Sequence, residues 1–358
     1  MNSKERVLTA LAHAEPDRIP FSLGFGLNPP VLEELASVLG LPDAAAALAY
    51  CQRQSDFVSV APPYIGPSSR NHVAVDGTAT DIWGIQRKPV SYGAGCYDEI
   101  TYYPLAAVDD LSALSDYLFP NPDWFDYGAL PRLIRDAQAN GPRAVMLGIA
   151  NLFETSWYMR GLDHMLMDLL LRPDFAHALM ERVTSFYAAY LARSLAAANG
   201  GIDIVFTADD IGQQHGLLMS LAVWRAHIKP YHQRINRLVH SWHAKVMYHT
   251  DGAVMEAVED LIDMGIDILE ALQFDAAGMD PVALKRRFGE RLCFHGGISV
   301  QTTLPFQSAG AVTQEVLERI RVLGDGGGYI LAPSHAIQAG TPADNILAFF
   351  QAAGRPLR

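Results

Sequence analysis

Short runs of β-branched residues alternate with long segments of helical hydrophobic spacing, most regularly in the second half of the chain. This alternation is typical of α/β folds with a parallel sheet, because a helix usually connects one parallel strand to the next. Helices are expected at residues 174–198, 217–240, 253–264, 281–288 and 314–323. Eight candidate strands predict a (β/α)8 TIM barrel, and they are residues 19–23, 57–60, 144–148, 202–206, 245–249, 267–271, 292–295 and 329–332.

The segment 62–120 interrupts this alternation. It contains several glycines and two short extended runs, 73–75 and 81–86, which predict a hairpin inserted after the second strand. We expect this insertion to act as a lid over one end of the barrel. No Ser/Gly linker, charge block or internal repeat divides the chain, so residues 1–358 are predicted to form a single domain.

The charge and composition exclude several classes of partner. The formal net charge is −12, which argues against nucleic acid and anionic membranes, since both attract clustered lysine and arginine. No apolar run approaches the ~20 residues that a membrane-spanning helix requires. The three cysteines lie far apart, which indicates neither a disulfide scaffold nor a thiolate zinc site. Because the first residues show no signal-peptide pattern, we expect a cytoplasmic protein.

Four potential metal ligands follow the predicted strands five, six and eight. In a barrel of this kind, polar residues at the C-terminal ends of strands face the active site. His249 and Asp251 are two residues apart, so both side chains can point to one place. Glu270 and His335 complete an N2O2 set that suits zinc, manganese or iron(II). Alternatively, His249 and Asp251 cap the helix that follows.

Further polar residues lie at other strand ends. His295 is a candidate proton donor or, equally, a hydrogen-bonded histidine of the barrel interior. Asp209 and Asp210 follow the fourth strand and are candidate catalytic acids, although either also suits a helix N-cap. Candidate substrate-binding residues are Gln214 nearby and, after the third strand, Glu154 and Tyr158; Glu154 is also explained as a carboxylate that stabilises the first turn of a helix.

Three stretches of the chain resemble the uroporphyrinogen decarboxylase superfamily. They are residues 6–20, residues 249–252 with 260–269, and residues 326–335 followed by 337–346. The resemblance spans nearly the whole chain and implies the barrel fold. True uroporphyrinogen decarboxylases resemble one another in an early arginine-containing segment that binds porphyrinogen carboxylates, and this chain has Phe21–Gly26 without arginine at that place. We therefore expect no significant decarboxylation of uroporphyrinogen.

The better match is the methyltransferase branch, whose members move methyl groups to or from a corrinoid protein. Their zinc site is built from His-x-Cys on strand five, a cysteine after strand eight and often a glutamate on strand six. Carried over, the ligands are His249, Asp251 in place of the first cysteine, Glu270, and His335 in place of the last. Without thiolates the metal is more electrophilic, which favours polarising the leaving atom of a methyl donor.

The resemblance thus implies transfer of a methyl group from a small O-, N- or S-methylated substrate to a cobalamin-type corrinoid on a partner protein, with Zn²⁺ or another divalent metal as cofactor. A homodimer is possible. The alternatives are a metal-free decarboxylase or related lyase that acts on a small carboxylate or tetrapyrrole, with Asp209, Asp210 or His295 handling protons, and a non-catalytic ligand-binding barrel.

Overall fold

A computed structural model describes residues 1–93 and 95–354. Two parts of the predicted domain lie outside the described residues: Ala94, within the predicted insertion, and residues 355–358. The strands are β1 Phe57–Val60, β2 His72–Val73, β3 Ala79–Thr80, β4 Gln86–Ser91, β5 Cys96–Tyr102, β6 Ala144–Asn151, β7 Ile204–Ala208, β8 Gly212–Gln213, β9 Gly216–Leu217, β10 Lys245–His249, β11 Ile268–Ala271, β12 Cys293–Ile298 and β13 Tyr329–Pro333.

Helices follow most of the parallel strands. They are α1 Ser3–Leu11, α2 Pro29–Leu39, α3 Ala44–Gln54, α4 Leu111–Asp116, α5 Leu130–Ala137, α6 Phe153–Arg160, α7 Leu162–Leu171, α8 Pro173–Ala198, α9 Leu221–His227, α10 Lys229–Ser241, α11 Val258–Met264, α12 Pro281–Phe288, α13 Thr303–Phe306, α14 Ala309–Leu323 and α15 Ala343–Ala353. Within the described residues, no helix has both the length and the apolar character needed to cross a bilayer.

Seven parallel strands form one curled sheet in the order β1-β6-β7-β10-β11-β12-β13. The predicted first strand, 19–23, contributes a bridge in which Phe21 pairs with Leu331 of β13. The carbonyl of Phe21 also accepts a hydrogen bond from the amide of Asp56, directly before β1. Phe21 therefore joins the two edges of the sheet, and the predicted α/β barrel class is confirmed.

Side chains that alternate along the strands fill the barrel interior. Met247, Ile268 and Cys293 belong to one buried cluster with Val7 and Leu11 of α1. Since successive side chains of a strand point to opposite faces, the residues two positions further along these strands also point inward. The inward positions above this apolar layer are thus available for polar side chains, and the helices pack around the outside of the sheet.

The segment after β1 folds into a four-stranded antiparallel sheet of β2-β3-β4-β5, rather than a single hairpin. It contacts loops at the C-terminal ends of barrel strands. The hydroxyl of Tyr92 lies 3.5 Å from Oε1 of Gln338, after β13, and the guanidinium of Arg87 lies 5.2 Å from the ring centre of Tyr158 in α6. The role of this sheet as a lid stays a prediction.

Candidate metal centre and barrel cavity

Three ionisable side chains occupy neighbouring positions of one layer inside the barrel. The strand register pairs His249 of β10 with Glu270 of β11, and Glu270 with His295 of β12. Each lies two residues beyond an inward-facing apolar residue of its strand, so all three point inward. All three are buried. Oε2 of Glu270 is hydrogen-bonded to Nδ1 of His249, and Oε1 lies 3.7 Å from Nδ1 of His295.

The other nitrogen of His249 faces a group of potential metal ligands. One ligating atom from each of His249, Asp251 and His335 lies within 4.8 Å of the others. Nε2 of His249 is 4.0 Å from Oδ2 of Asp251 and 3.5 Å from Oδ1 of Asp210. Two imidazoles and a carboxylate are ligands that zinc and other divalent transition metals accept. The residues present therefore fit a metal ion of this class.

Glu270 lies on the opposite side of His249 from this group. Its carboxylate holds Nδ1, as carboxylates commonly do behind metal-binding histidines, where they fix the ring orientation and the tautomer. The sequence predicted both Glu270 and Asp251 as ligands. The structure places Glu270 behind His249, because β11 lies beside β10, whereas Asp251 continues past the end of β10 and lies on the Nε2 side.

Charge interactions shift the pKa values of these groups. Burial lowers the pKa of His249, but the charge of Glu270 and the hydrogen bond to it outweigh burial and raise this pKa to about 10. Burial raises the pKa of Glu270, but the charge and hydrogen bond of His249, together with His295, lower it to about 2. Burial raises the pKa of Asp251 to about 7, against the charge of His249. Burial and the charge of His249 lower the pKa of His335.

Phe25 contacts both histidines of the group, and the sequence analysis missed it. Its ring stacks on His335 with 4.8 Å between the ring centres, and it meets His249 edge-on at the same distance. Gly24 and Gly26 on either side have φ angles of 56° and 84°, which a glycine adopts without strain. A Gly-Phe-Gly turn after the first barrel strand was the signal in the sequence.

An apolar cavity of about 340 Å³ lies beside the metal-ligand group. Glu270 and His295 line it, and among the described residues the lining contains no lysine or arginine. Its larger apolar wall residues are Phe25, Val60, Met146, Ile149, Phe206 and Met247. Such a cavity suits a small molecule with few charges.

Asp209 is not among the residues that line this cavity, and its catalytic role stays a prediction. Its carboxylate accepts hydrogen bonds of 2.8 Å from the amides of Phe153 and Glu154, at the N-terminus of α6. It also pairs with the buried His232 of α10. Since Asp209 is fully buried, these contacts assign it to holding α6 and α10 together. Asp210 instead lies at the metal-ligand group, where its carboxylate accepts a hydrogen bond from the amide of Asp251.

The predicted substrate-binding residues fall outside the cavity lining. Glu154 accepts hydrogen bonds from Asn151 at 2.6 Å and from the hydroxyl of Tyr158 at 3.0 Å. Burial and the charges of Asp210 and Asp209 raise the pKa of Glu154 to about 8. Gln214 donates to the carbonyl of Asp275 and accepts from Gln273, so it links two loops. The structure thus places Glu154 near Asp210, while Gln214 connects the loops after β7 and β11.

Comparisons with known proteins agree with this architecture. A solved methyltransferase from Methanosarcina mazei has a TM-score of 0.68 and 19% identity, covering 99% of this chain and 98% of that one. A D-allulose 3-epimerase from Methylomonas sp. has a TM-score of 0.43 and 12% identity, covering 94% of this chain and 96% of that one. Xylanase 10B from Thermotoga maritima has a TM-score of 0.39 and 10% identity, covering 65% of this chain and 81% of that one.

At these identities the likeness to the Methanosarcina protein shows the fold alone, and the other two TM-scores are too low to support an argument. No curated protein sequence matches the chain. The family model described as "Uroporphyrinogen decarboxylase (URO-D)" matches residues 134–355, which is more than half of the chain and includes β6 to β13. The chain therefore belongs to the uroporphyrinogen decarboxylase family.

Proposed function

We propose that this protein is a metal-dependent methyltransferase that takes a methyl group from a small O-, N- or S-methylated substrate and passes it to a corrinoid carried by a partner protein. The observation that supports this function most is the group of His249, Asp251 and His335 beside an apolar cavity. The shared fold with a methyltransferase from Methanosarcina mazei is consistent with it.

His249, Asp251 and His335 would hold the metal, for which Zn²⁺ fits the donor set. When bound, a divalent ion supplies positive charge that polarises the atom from which the methyl group departs. Glu270 keeps Nδ1 of His249 occupied, so that Nε2 faces the other ligands. Phe25 contacts both histidines and also lines the cavity, so it lies at the boundary between the metal-ligand group and the cavity.

The cavity opens beside apolar side chains that suit a large flat acceptor. Phe25 and Ile149 line the cavity and are 42% and 41% exposed. Exposed apolar residues at a site mouth commonly mark a place where another molecule docks. A corrinoid presented by a partner protein would reach the substrate from this side.

A porphyrinogen substrate is disfavoured. A molecule with several carboxylates requires cationic partners, because an unpaired buried carboxylate costs several kcal/mol. The residues described as lining the cavity include no arginine or lysine, and Glu270 adds a negative charge there. The second candidate function is a metal-free lyase for a smaller substrate, which the buried His295 in the cavity favours as a proton donor.

Metal analysis of purified variants tests the proposal. We expect about one divalent ion per wild-type chain, and a loss of most of this metal in His249→Ala and in His335→Ala. His177→Ala is the matched control, since His177 contacts His227 and Tyr231 among helices α8 to α10 instead. Circular dichroism checks that each variant is folded.

Activity is measured as methylation of free cob(I)alamin, followed by its visible spectrum, with a panel of methoxy, methylthio and methylamino compounds. We expect turnover by the wild type and the control, and at least ~100-fold less in both metal-site variants. Metal content that survives both substitutions, or decarboxylation by metal-free protein, would replace this proposal with the lyase.

A further inference from the structure

Two buried polar atoms, which belong to residues that line the cavity, have no hydrogen-bond partner. They are Oε1 of Glu270 and Nδ1 of His295. The two residues are 1% and 3% exposed, and both line the cavity. Buried donors and acceptors are almost always paired, because an unpaired one costs about 1–3 kcal/mol. These atoms therefore mark a place where a bound group completes the hydrogen bonding.

The two atoms are positioned to share one partner. They lie 3.7 Å apart, which is longer than a hydrogen bond between them allows. The strand register fixes this separation, because Glu270 and His295 are directly paired on β11 and β12. The other carboxylate oxygen of Glu270 is already bonded to His249, so the carboxylate cannot turn without breaking that contact. A single oxygen atom placed about 2.8 Å from both atoms would bridge them.

The remainder of the cavity selects against charge. Its volume of about 340 Å³ is near the lower limit for a ligand pocket. Phe25, Phe206, Met146 and Met247 surround it with aromatic rings and thioethers, which favour a flat apolar body. The carboxylate of Glu270 is paired with His249, which leaves little net charge to hold a cation, and the described lining has no lysine or arginine to hold an anion.

We propose that the cavity binds a small uncharged molecule with an apolar, ring-sized body and one hydroxyl group. The hydroxyl donates a hydrogen bond to Oε1 of Glu270 and accepts one from Nδ1 of His295. The inference rests on the proposed function only in taking this molecule to be the methyl donor. In that case the donor is a hydroxyl-bearing methyl ether or thioether, and a charged methylamine is excluded.

Four small probes of similar size test this subsite: phenol, toluene, benzoate and benzylammonium. Their dissociation constants are measured by saturation-transfer NMR on the purified wild-type protein. We expect phenol to bind about tenfold more tightly than toluene, since only phenol completes both hydrogen bonds. Benzoate and benzylammonium should bind more weakly than phenol.

Substitutions at His295 locate the effect. His295→Phe keeps an aromatic ring and removes the nitrogen, so phenol should lose one of its two hydrogen bonds and its preference over toluene should fall. His295→Asn places an amide nitrogen near the position of Nδ1, and should keep part of the preference for phenol. His177→Ala, remote from the cavity, should behave as wild type.

Equal binding of phenol and toluene by the wild type would overturn the inference, whether or not the variants fold. An undiminished preference for phenol in His295→Phe would overturn it too, and tighter binding of benzylammonium would point to a cationic ligand instead. Because these measurements require neither metal nor methyl transfer, their outcome is independent of the test of the proposed function.

Discussion

The carboxylate of Glu270 controls the protonation of the metal-ligand group. It is buried and hydrogen-bonded to Nδ1 of His249, and its charge keeps that imidazole protonated well above neutral pH in the metal-free protein. Burial raises the pKa of Asp251, on the other side of His249, to about 7. A metal ion requires the opposite protonation at both ligands, a free imidazole nitrogen and an ionised carboxylate.

Metal binding should therefore release protons, and the affinity should rise with pH. The pKa of His249 is raised to about 10 and that of Asp251 to about 7, so near pH 6 both ligands carry a proton that the metal must displace. Isothermal titration calorimetry in buffers of different ionisation enthalpy measures this release. We expect between one and two protons per Zn²⁺ near pH 6, and weaker binding there than near pH 8.

Glu270→Gln is the matched control. Without the charge and hydrogen bond of Glu270, only the charges of Asp251 and Asp210 oppose burial, so the pKa of His249 should fall and fewer protons should be released. The metal should also bind about 10- to 100-fold more weakly, because the amide orients the imidazole less firmly. Affinity that does not change between about pH 6 and 8 would contradict this account of the charges.

The sequence predicted part of this site. The spacing of His249 and Asp251 indicated that both side chains point to one place, and the structure brings His335 to the same place. It did not predict that Glu270 lies behind His249, because the strand register decides which nitrogen each carboxylate faces. The role of Asp209 was also hidden, since its partners Phe153, Glu154 and His232 are distant in sequence.

At the scale of the elements, strand β12 requires a glycine at position 296, directly after the buried His295. Gly296 has a φ angle of 116°, in the left-handed region. A β-carbon on Gly296 would lie 1.9 Å from the carbonyl oxygen of Ala271 on β11. Both the backbone conformation and the close approach of the two strands therefore require glycine at this position.

Gly296→Ala should destabilise the protein strongly. Strain at the φ angle and the clash with a backbone atom, which cannot move aside cheaply, together predict a loss of about 3 kcal/mol or more in the free energy of unfolding. Denaturant titration measures it. Gly310→Ala is the control, because Gly310 lies in helix α14 with 3.8 Å to the nearest side-chain atom, and should gain up to ~1 kcal/mol. Equal stability of Gly296→Ala and wild type would contradict the close approach of the strands.

The helix predictions show where periodicity is insufficient. The predicted helix 217–240 is divided at Ile228 into α9 and α10, since Pro230 lacks the amide that would continue the first helix. The predicted helix 253–264 begins only at Val258. The amide of Ala253 bonds to the carbonyl of Gln213 instead of forming a helical turn. Hydrophobic spacing does not reveal such long-range partners.

At the scale of the whole molecule, one buried carboxylate connects the two edges of the barrel sheet. Asp56 is fully buried and precedes β1. It accepts hydrogen bonds from the guanidinium groups of Arg6 in α1 and Arg18, and from the amide of Phe21. Phe21 is the residue that bridges β13 and β1. The closure of the barrel and the docking of α1 therefore share a single anion.

Asp56→Asn should destabilise the entire barrel. Removing the charge leaves Arg18 without its buried partner and leaves Arg6 with Asp17 alone, which predicts a loss of about 3 kcal/mol in the free energy of unfolding. Asp136→Asn is the control, since its exposed pair with Arg132 on α5 contributes less than ~1 kcal/mol. We expect one cooperative transition for both proteins in denaturant, as the predicted single domain requires. A barrel that keeps its stability without the charge at Asp56 would show that closure depends on apolar packing alone.

The placement of Glu270 between two histidines has a thermodynamic consequence. One of its oxygens holds the imidazole of the metal-ligand group, and the other lies 3.7 Å from Nδ1 of His295, which also lines the cavity. A metal ion that alters the charge at His249 also changes how strongly the same carboxylate attracts a hydroxyl on its other oxygen. Linkage makes this effect reciprocal: whatever factor the ion adds to the affinity for the cavity ligand, the ligand must add to the affinity for the ion. If both proposals hold, the two sites should therefore bind cooperatively through this one side chain.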